Sequence, residues 1–158
     1  MASSTKTATI KFKRGDDFKL DFTVQDTNNT SAIANAAALA TAKEELEAAQ
    51  NADPQVPQDI TDAQTAVSAA QAAYDASIIV DITGWTMVSQ VRRAGKLIAD
   101  LNTTILDAAT GKFSIFKLSA ETQDWPIQKL DCDVQFTRPT GVVSSETFEI
   151  DVQRDVTQ

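Results

Sequence analysis

A chain of 158 residues with 14 basic and 22 acidic side chains, a formal net charge of −8, one cysteine and no histidine is bounded before any motif is read. A domain of this length buries roughly 70% of its unfolded surface, so a core suffices without disulfide or metal staples. The acidic balance works against nucleic acid as a partner, the lack of histidine removes the commonest general base and metal ligand, and no segment reaches the roughly 20 apolar residues a bilayer span requires.

The N-terminal run MASSTKTATIKFKRGDD has no apolar stretch of signal-peptide type, which predicts a soluble protein made in a cytoplasm. The Asn-x-Ser/Thr matches at Asn28, Asn29 and Asn102 then carry no meaning. Residues 8 to 13 and 18 to 25 alternate with period two, Phe18, Leu20, Phe22 and Val24 on one face and Lys19, Asp21 and Thr23 on the other. With the Gly turn of RGDD between them they predict a β-hairpin.

From about residue 31 alanine dominates and glycine vanishes. Leu39, Ala42, Leu46 and Ala49 recur at steps of three and four, and Ile60, Ala63, Val67, Ala70 and Tyr74 repeat the pattern, as the apolar stripes of two helices do. Between them NADPQVPQD ends one helix and prepares the next, with Asp59 or Thr61 as N-cap and Thr61 with Gln64 as a capping box. Two helices joined by a short turn predict an antiparallel α-hairpin.

After residue 77 strand patterns return in SIIVDI, WTMVSQVRR, KLIADL, KFSIFKL, LDCDVQFT and VVSSETFEIDVQ, punctuated by Gly, Asn or Pro. The exception is SAETQDWP, where Ser119 and Thr122 predict one helical turn that Pro126 stops. The fold expected is mainly β, an antiparallel β-sandwich of about eight strands, Ig-like or jelly-roll-like, with an inserted antiparallel helical hairpin. Residues 1–30 and 77–158 form the β-domain and residues 31–76 the arm, because a loop accepts such an insertion at small entropic cost.

Candidates for chemistry are few. Cys132 alternates with Leu130, Val134 and Phe136, which makes it a buried structural thiol rather than a nucleophile. Asp131 and Asp133 share one strand face and Asp16 and Asp17 one turn, without metal-site spacing, so ordinary solvation accounts for them. Trp85 and Trp125 sit in apolar contexts suited to packing rather than sugar stacking. No catalytic residue, cofactor or metal site is expected. The hairpin buries mostly alanine, a thin interior for more than 40 ordered residues, so a partner surface is expected on it. The candidate partner contacts are Leu39, Leu46, Val67 and Tyr74 on the helical stripe and the basic pair Arg92 and Arg93 at the AGK turn.

The order of turns and strands carries a resemblance. Arg14, Gly15 and Asp16 stand in the first turn; Thr83 and Gly84 precede a strand ending in Arg92; Glu121, Thr122, Trp125 and Pro126 form a stop; Asp133, Val134 and Gln135 follow; and Asp155, Val156 and Thr157 close the chain. This pattern resembles small structural proteins of tailed bacteriophages, in particular the N-terminal domain of baseplate upper proteins. The chain differs in carrying the helical hairpin. The resemblance implies a non-enzymatic virion structural protein, assembled in the host cytoplasm, a tail, baseplate or fibre-attachment subunit that contacts other virion proteins and itself as a trimer or hexamer. A capsid head decoration protein and a carbohydrate-binding or adhesin module are the alternatives.

Overall fold

The structure is a computed structural model that describes residues 8–155. The chain divides into two compact units, Thr23–Asp81 and the described residues on either side of that segment.

The first of these units is helical, with α1 spanning Thr30–Asn51 and α2 Pro57–Ile78. At 22 residues each, both are about 33 Å long at 1.5 Å per residue. Asn29 caps α1: its Oδ1 accepts the Ala32 amide at 2.8 Å, satisfying a donor that the first turn leaves without an intrahelical partner. The second helix starts earlier than its sequence suggests. Pro57 occupies the first turn, where its missing N–H costs nothing, and Val56 is the N-cap without a side-chain bond. Thr61 therefore lies inside the helix, its hydroxyl donating back to the Pro57 carbonyl at 3.0 Å, and the expected capping box does not form.

Burial along both helices follows the heptad steps of the sequence. Ala32, Leu39 and Ala42 are buried and Asn35, Leu46 and Ala49 half-buried on α1, while Ile60, Ala63, Val67, Ala70, Tyr74 and Ser77 form the matching half-buried row on α2. The two helices contact each other, and the Asn35 amide donates to the Ala73 carbonyl at 3.2 Å. At the helix ends Asn29 donates to the Ser77 carbonyl at 3.0 Å and the Asp26 amide to Ile78 at 2.7 Å. SIIVDI is consequently no strand. Helix α2 runs through Ile78, and only Ile79 forms a single bridge, to Gln25.

The remaining unit is a sheet of eight strands: β1 (Thr9–Lys13), β2 (Phe18–Thr23), β3 (Thr86–Arg93), β4 (Lys96–Asp107), β5 (Lys112–Lys117), β6 (Lys129–Arg138), β7 (Gly141–Ser144) and β8 (Phe148–Gln153). The hydrogen-bonded order is β1-β8-β6-β3-β4-β5-β2, with β7 beside β6. The expectation of a mainly β fold holds. The ladder itself is one mixed sheet, nearly closed into a barrel, in place of two antiparallel layers. The parallel member is β1, which pairs with β8 from Thr9↔Glu149 to Lys13↔Gln153. The predicted β1–β2 hairpin is therefore corrected. The turn at Gly15 joins the two strands, but among the described residues they lie at opposite ends of the ladder, and alternation fixes a strand's faces without naming its partner.

Side chains close what the ladder leaves open. Phe12 of β1 meets Phe18 of β2 edge-on at 5.2 Å, and Trp125 lies 5.6 Å from Phe12 and 5.5 Å from Phe18. Inside, Phe22 of β2 stacks on Phe113 of β5 at 5.4 Å and meets Phe148 of β8 at 5.8 Å. Leu130, Cys132, Val134 and Phe136 of β6, with Ile150 and Val152 of β8, complete the core. The predicted single helical turn forms as α3 (Ser119–Thr122), where the buried Thr122 hydroxyl donates to the Asp16 carbonyl at 2.7 Å and Asp17 accepts the Ser119 amide at 2.7 Å. VVSSETFEIDVQ runs as β7 and β8 with an interruption. Cys132 pairs with Phe148 but Gln135 with Ser144, so one extra residue bulges out, and Ser145 fills the break by accepting the Val134 amide at 3.0 Å.

Candidate functional site

The six residues predicted to touch a partner fall into two settings. Leu39 is buried, at 8% exposure, and Leu46, Val67 and Tyr74 are half-buried along the contacting stripes of α1 and α2. Their burial follows the two rows along which a contacting helix pair would cover itself. The outer side of the pair offers instead Ile33, 58% exposed, and Val56, at the start of α2. A β-branched or γ-branched side chain left in water on a helix face has no packing to lose on docking and apolar area to gain.

Arg92 and Arg93 are both exposed at the end of β3. They stand beside a two-residue loop, Ala94–Gly95, whose φ angles of 44° and 81° are those of the mirror-image turn that matches strand twist. The Arg92 guanidinium is held there: it donates to the Gly95 carbonyl at 3.1 Å and to Gln90 Oε1, and Gln90 in turn donates to Asp100 at 2.7 Å. In register Arg92 faces Asp131, and a shallow depression of about 250 Å³ beside them is lined by Gln90, Gly95, Asp133 and Thr147. Arg93 pairs in register with Lys96. The two arginines thus differ. One is fixed in a polar cluster and the other projects beside a second cation.

Cys132, 1% exposed, lies with its sulfur 3.6 Å from the Ser89 hydroxyl, and burial pushes its thiol up to about 11. At neutral pH it carries a proton and makes a poor nucleophile. Asp131 and Asp133 stand on the opposite face of β6, exposed and half-buried, and among the described residues no group of three or more acidic or cysteine side chains is arranged to hold a metal ion. Trp125 is 2% exposed within its phenylalanine cluster. Trp85, half-buried, meets Phe136 at 6.0 Å and carries the Arg138 guanidinium 5.6 Å above its ring. Trp125 is thus enclosed by protein, while Trp85 is packed edge-on and carries a guanidinium over its ring.

One feature of the sheet escapes the sequence reading. A groove of about 330 Å³ runs beside β2, β4 and β5, walled by Phe18, Leu106, Phe116 and Leu118 with Ser114 among them. KFSIFKL holds the signal. Phe113 and Ile115 supply the core, yet Phe116 and Leu118 are apolar on the other face, where a one-sided strand carries polar residues.

Some motif residues of the resemblance occupy turns and core positions, while Arg92, Glu121 and Gln135 are exposed on strands or the short helix. Gly15 and Gly84 have φ of 90° and 76°, Thr122 and Trp125 are buried, and Asp133, Val134 and Gln135 run through β6. Val156 and Thr157 lie outside the described residues. No protein-family model matches the chain, and no curated protein is similar to it.

Proposed function

We propose that this protein is a non-enzymatic structural subunit of a tailed-phage virion, placed in the tail, baseplate or fibre attachment, and that it works through repeated contacts with neighbouring subunits. The observation that carries the reading is the coincidence of its phage-like sequence signatures with fold-determining positions: the Gly15 turn, the buried stop at Thr122 and Trp125, and the central strand through Val134. Such residues specify a scaffold. A scaffold of this kind acts by geometry, which a closed trimer or hexamer multiplies around one axis.

In this reading α1 and α2 form one antiparallel arm. The Asn29–Ser77 and Asn35–Ala73 hydrogen bonds set its register, and its seam uses only a few large side chains. Because Leu39, Leu46, Val67 and Tyr74 are spent on that seam, neighbouring subunits meet the arm on its outer side at Ile33 and Val56, and meet the sheet at Arg93. The arm's large exposed surface per buried residue favours docking, since a partner adds the apolar burial that the seam lacks.

Immunogold labelling of purified particles with an antibody against this chain tests the location. Gold at the tail end is the expected result, gold over the head makes the protein a capsid decoration instead, and unlabelled particles refute the virion reading. Excision of residues 31–76 tests the mechanism. The shortened chain should keep the near-ultraviolet signature of the sheet aromatics and fail to enter particles; normal assembly without the arm would overturn its assigned role.

A further inference from the structure

The groove beside β2, β4 and β5 has the composition of a ligand site rather than of a surface crease. Its volume of about 330 Å³ is at the lower end of the range of small-molecule pockets. Phe18, Leu106, Phe116 and Leu118 make its walls apolar, and Leu106 and Leu118 remain more than half exposed at its rim. Apolar side chains collected around an open concavity lose nothing by accepting an apolar guest and remove water by doing so.

Within those walls sits a polar group without a partner. Ser114 is 2% exposed, lines the groove, and its hydroxyl has no hydrogen-bond partner. Its strand neighbours offer none: Thr104, across the ladder, presents its side chain to the same groove, and Phe113 and Ile115 belong to the core. A buried hydroxyl left without a partner keeps its desolvation penalty, which an entering acceptor or donor would relieve.

The charges at the rim decide which. Lys19 and Lys117 line the groove with Asp17 as the single acid. Asp17 already accepts the Ser119 amide. Lys19 is only loosely paired, 3.7 Å from Asp21 with both side chains exposed, so a ligand anion competes for its ammonium group readily. Lys117 is largely buried and pairs with Glu121 at 2.8 Å, adding a fixed positive charge beside the groove.

We propose that the groove binds a small amphipathic carboxylate, an alkyl or aryl acid whose apolar body lies on Phe18, Phe116 and Leu118. Its anionic head supplies the acceptor that Ser114 lacks, in the field of Lys19 and Lys117. The site concerns the isolated chain and stands independently of the virion reading.

The test is an amide-resolved NMR titration of the full chain with octanoate, with octanol and octylammonium as matched neutral and cationic probes. Octanoate should saturate with Kd of ~1 mM or tighter, its shifts confined to residues of β2, β4 and β5, and octylammonium should bind several-fold more weakly. Ser114→Ala should weaken octanoate by roughly threefold to tenfold while the remaining amide spectrum overlays the parent. Should that variant fold poorly, Leu118→Ala at the exposed rim should weaken all the probes that bind by a similar factor. Equal affinity for the three probes, shifts spread over the whole surface, or no saturation by octanoate would each overturn the proposal; the last would leave the groove to an apolar side chain of a neighbouring protein.

Discussion

Leu39→Ala is the substitution that weighs the helical arm. Leu39 is the largest side chain that α1 buries, and the other buried positions on that helix, Ala32 and Ala42, contribute a methyl each. Removing three carbons at about 0.8 kcal/mol per buried carbon loses ~2.4 kcal/mol, and the cavity adds to this where the neighbours fail to close in. A seam of alanines leaves little to collapse into the gap, so the expected loss is about 2.5–3 kcal/mol. Val67→Ala at a half-buried site loses two carbons and should cost about 1 kcal/mol. Ile33→Ala, on the exposed face of the same helix, should stay within ~0.5 kcal/mol. Native-state hydrogen exchange reads these numbers directly, because α1 and α2 form their own compact unit and should open together. Amides of residues 30–78 should exchange faster by the corresponding factor in Leu39→Ala while those of β3, β6 and β8 keep their protection. An effect below 1 kcal/mol, or equal effects at Leu39 and Ile33, would refute the seam as the source of the arm's order.

Three further outcomes follow from local geometry. Ala94 holds φ of 44° in the β3–β4 loop, a conformation that asparagine tolerates better, so Ala94→Asn should stabilise the protein by about 1 kcal/mol and raise Tm by about 3 °C in a calorimetric scan. Cys132 should react with a maleimide at pH 8 only as fast as the sheet opens; because folding raises its pKa, its contribution to stability is complete below the ordinary thiol value and is lost as pH rises toward 11, which a denaturant series between pH 8 and 11 would display. Lys129 donates to Glu149 at 3.0 Å, and Thr9 donates to the same carboxylate, holding Glu149 below the ordinary glutamate value. That stabilisation is present at neutral pH and fades as pH falls through the lowered pKa, so Lys129→Met should move the Glu149 titration upward in a carbon-detected NMR series; an unmoved midpoint would place the cause elsewhere.

What the sequence revealed and what it hid divide along physical lines. Helix existence was legible because alanine-rich heptads have no competing period: α1 begins at Thr30, within a residue of where the alanine-rich pattern starts, while the start of α2 slipped by several residues because Pro57 opens the helix ahead of Asp59 and Thr61. Strand faces were legible too, since Leu130, Cys132, Val134 and Phe136 alternate without interruption. Strand partners were not. The alternation of TIKFK is satisfied equally beside β2 or beside β8, and the choice rests on how the twisted sheet brings its ends together around Phe12, Phe18 and Trp125. Even the strand count of eight agreed through compensating differences, SIIVDI beginning in the last turn of α2 and continuing as a single bridge and loop while VVSSETFEIDVQ split at its bulge.

The same distinction explains why the candidate contacts separated. A periodic apolar stripe tells that a helix face is covered, and the nearest cover for an inserted helix is the one that follows it in the chain, so Leu39, Leu46, Val67 and Tyr74 answer to each other before they answer to any partner. Residues that break the period carry the information about outside contacts. Ile33 stands one position from the buried Ala32, and Phe116 stands one position from the buried Ile115; neither belongs to the stripe beside it. Both lie where folding alone gives an apolar side chain no complete cover. In a protein whose net charge of −8 otherwise favours solvent over association, such positions are where binding energy remains available.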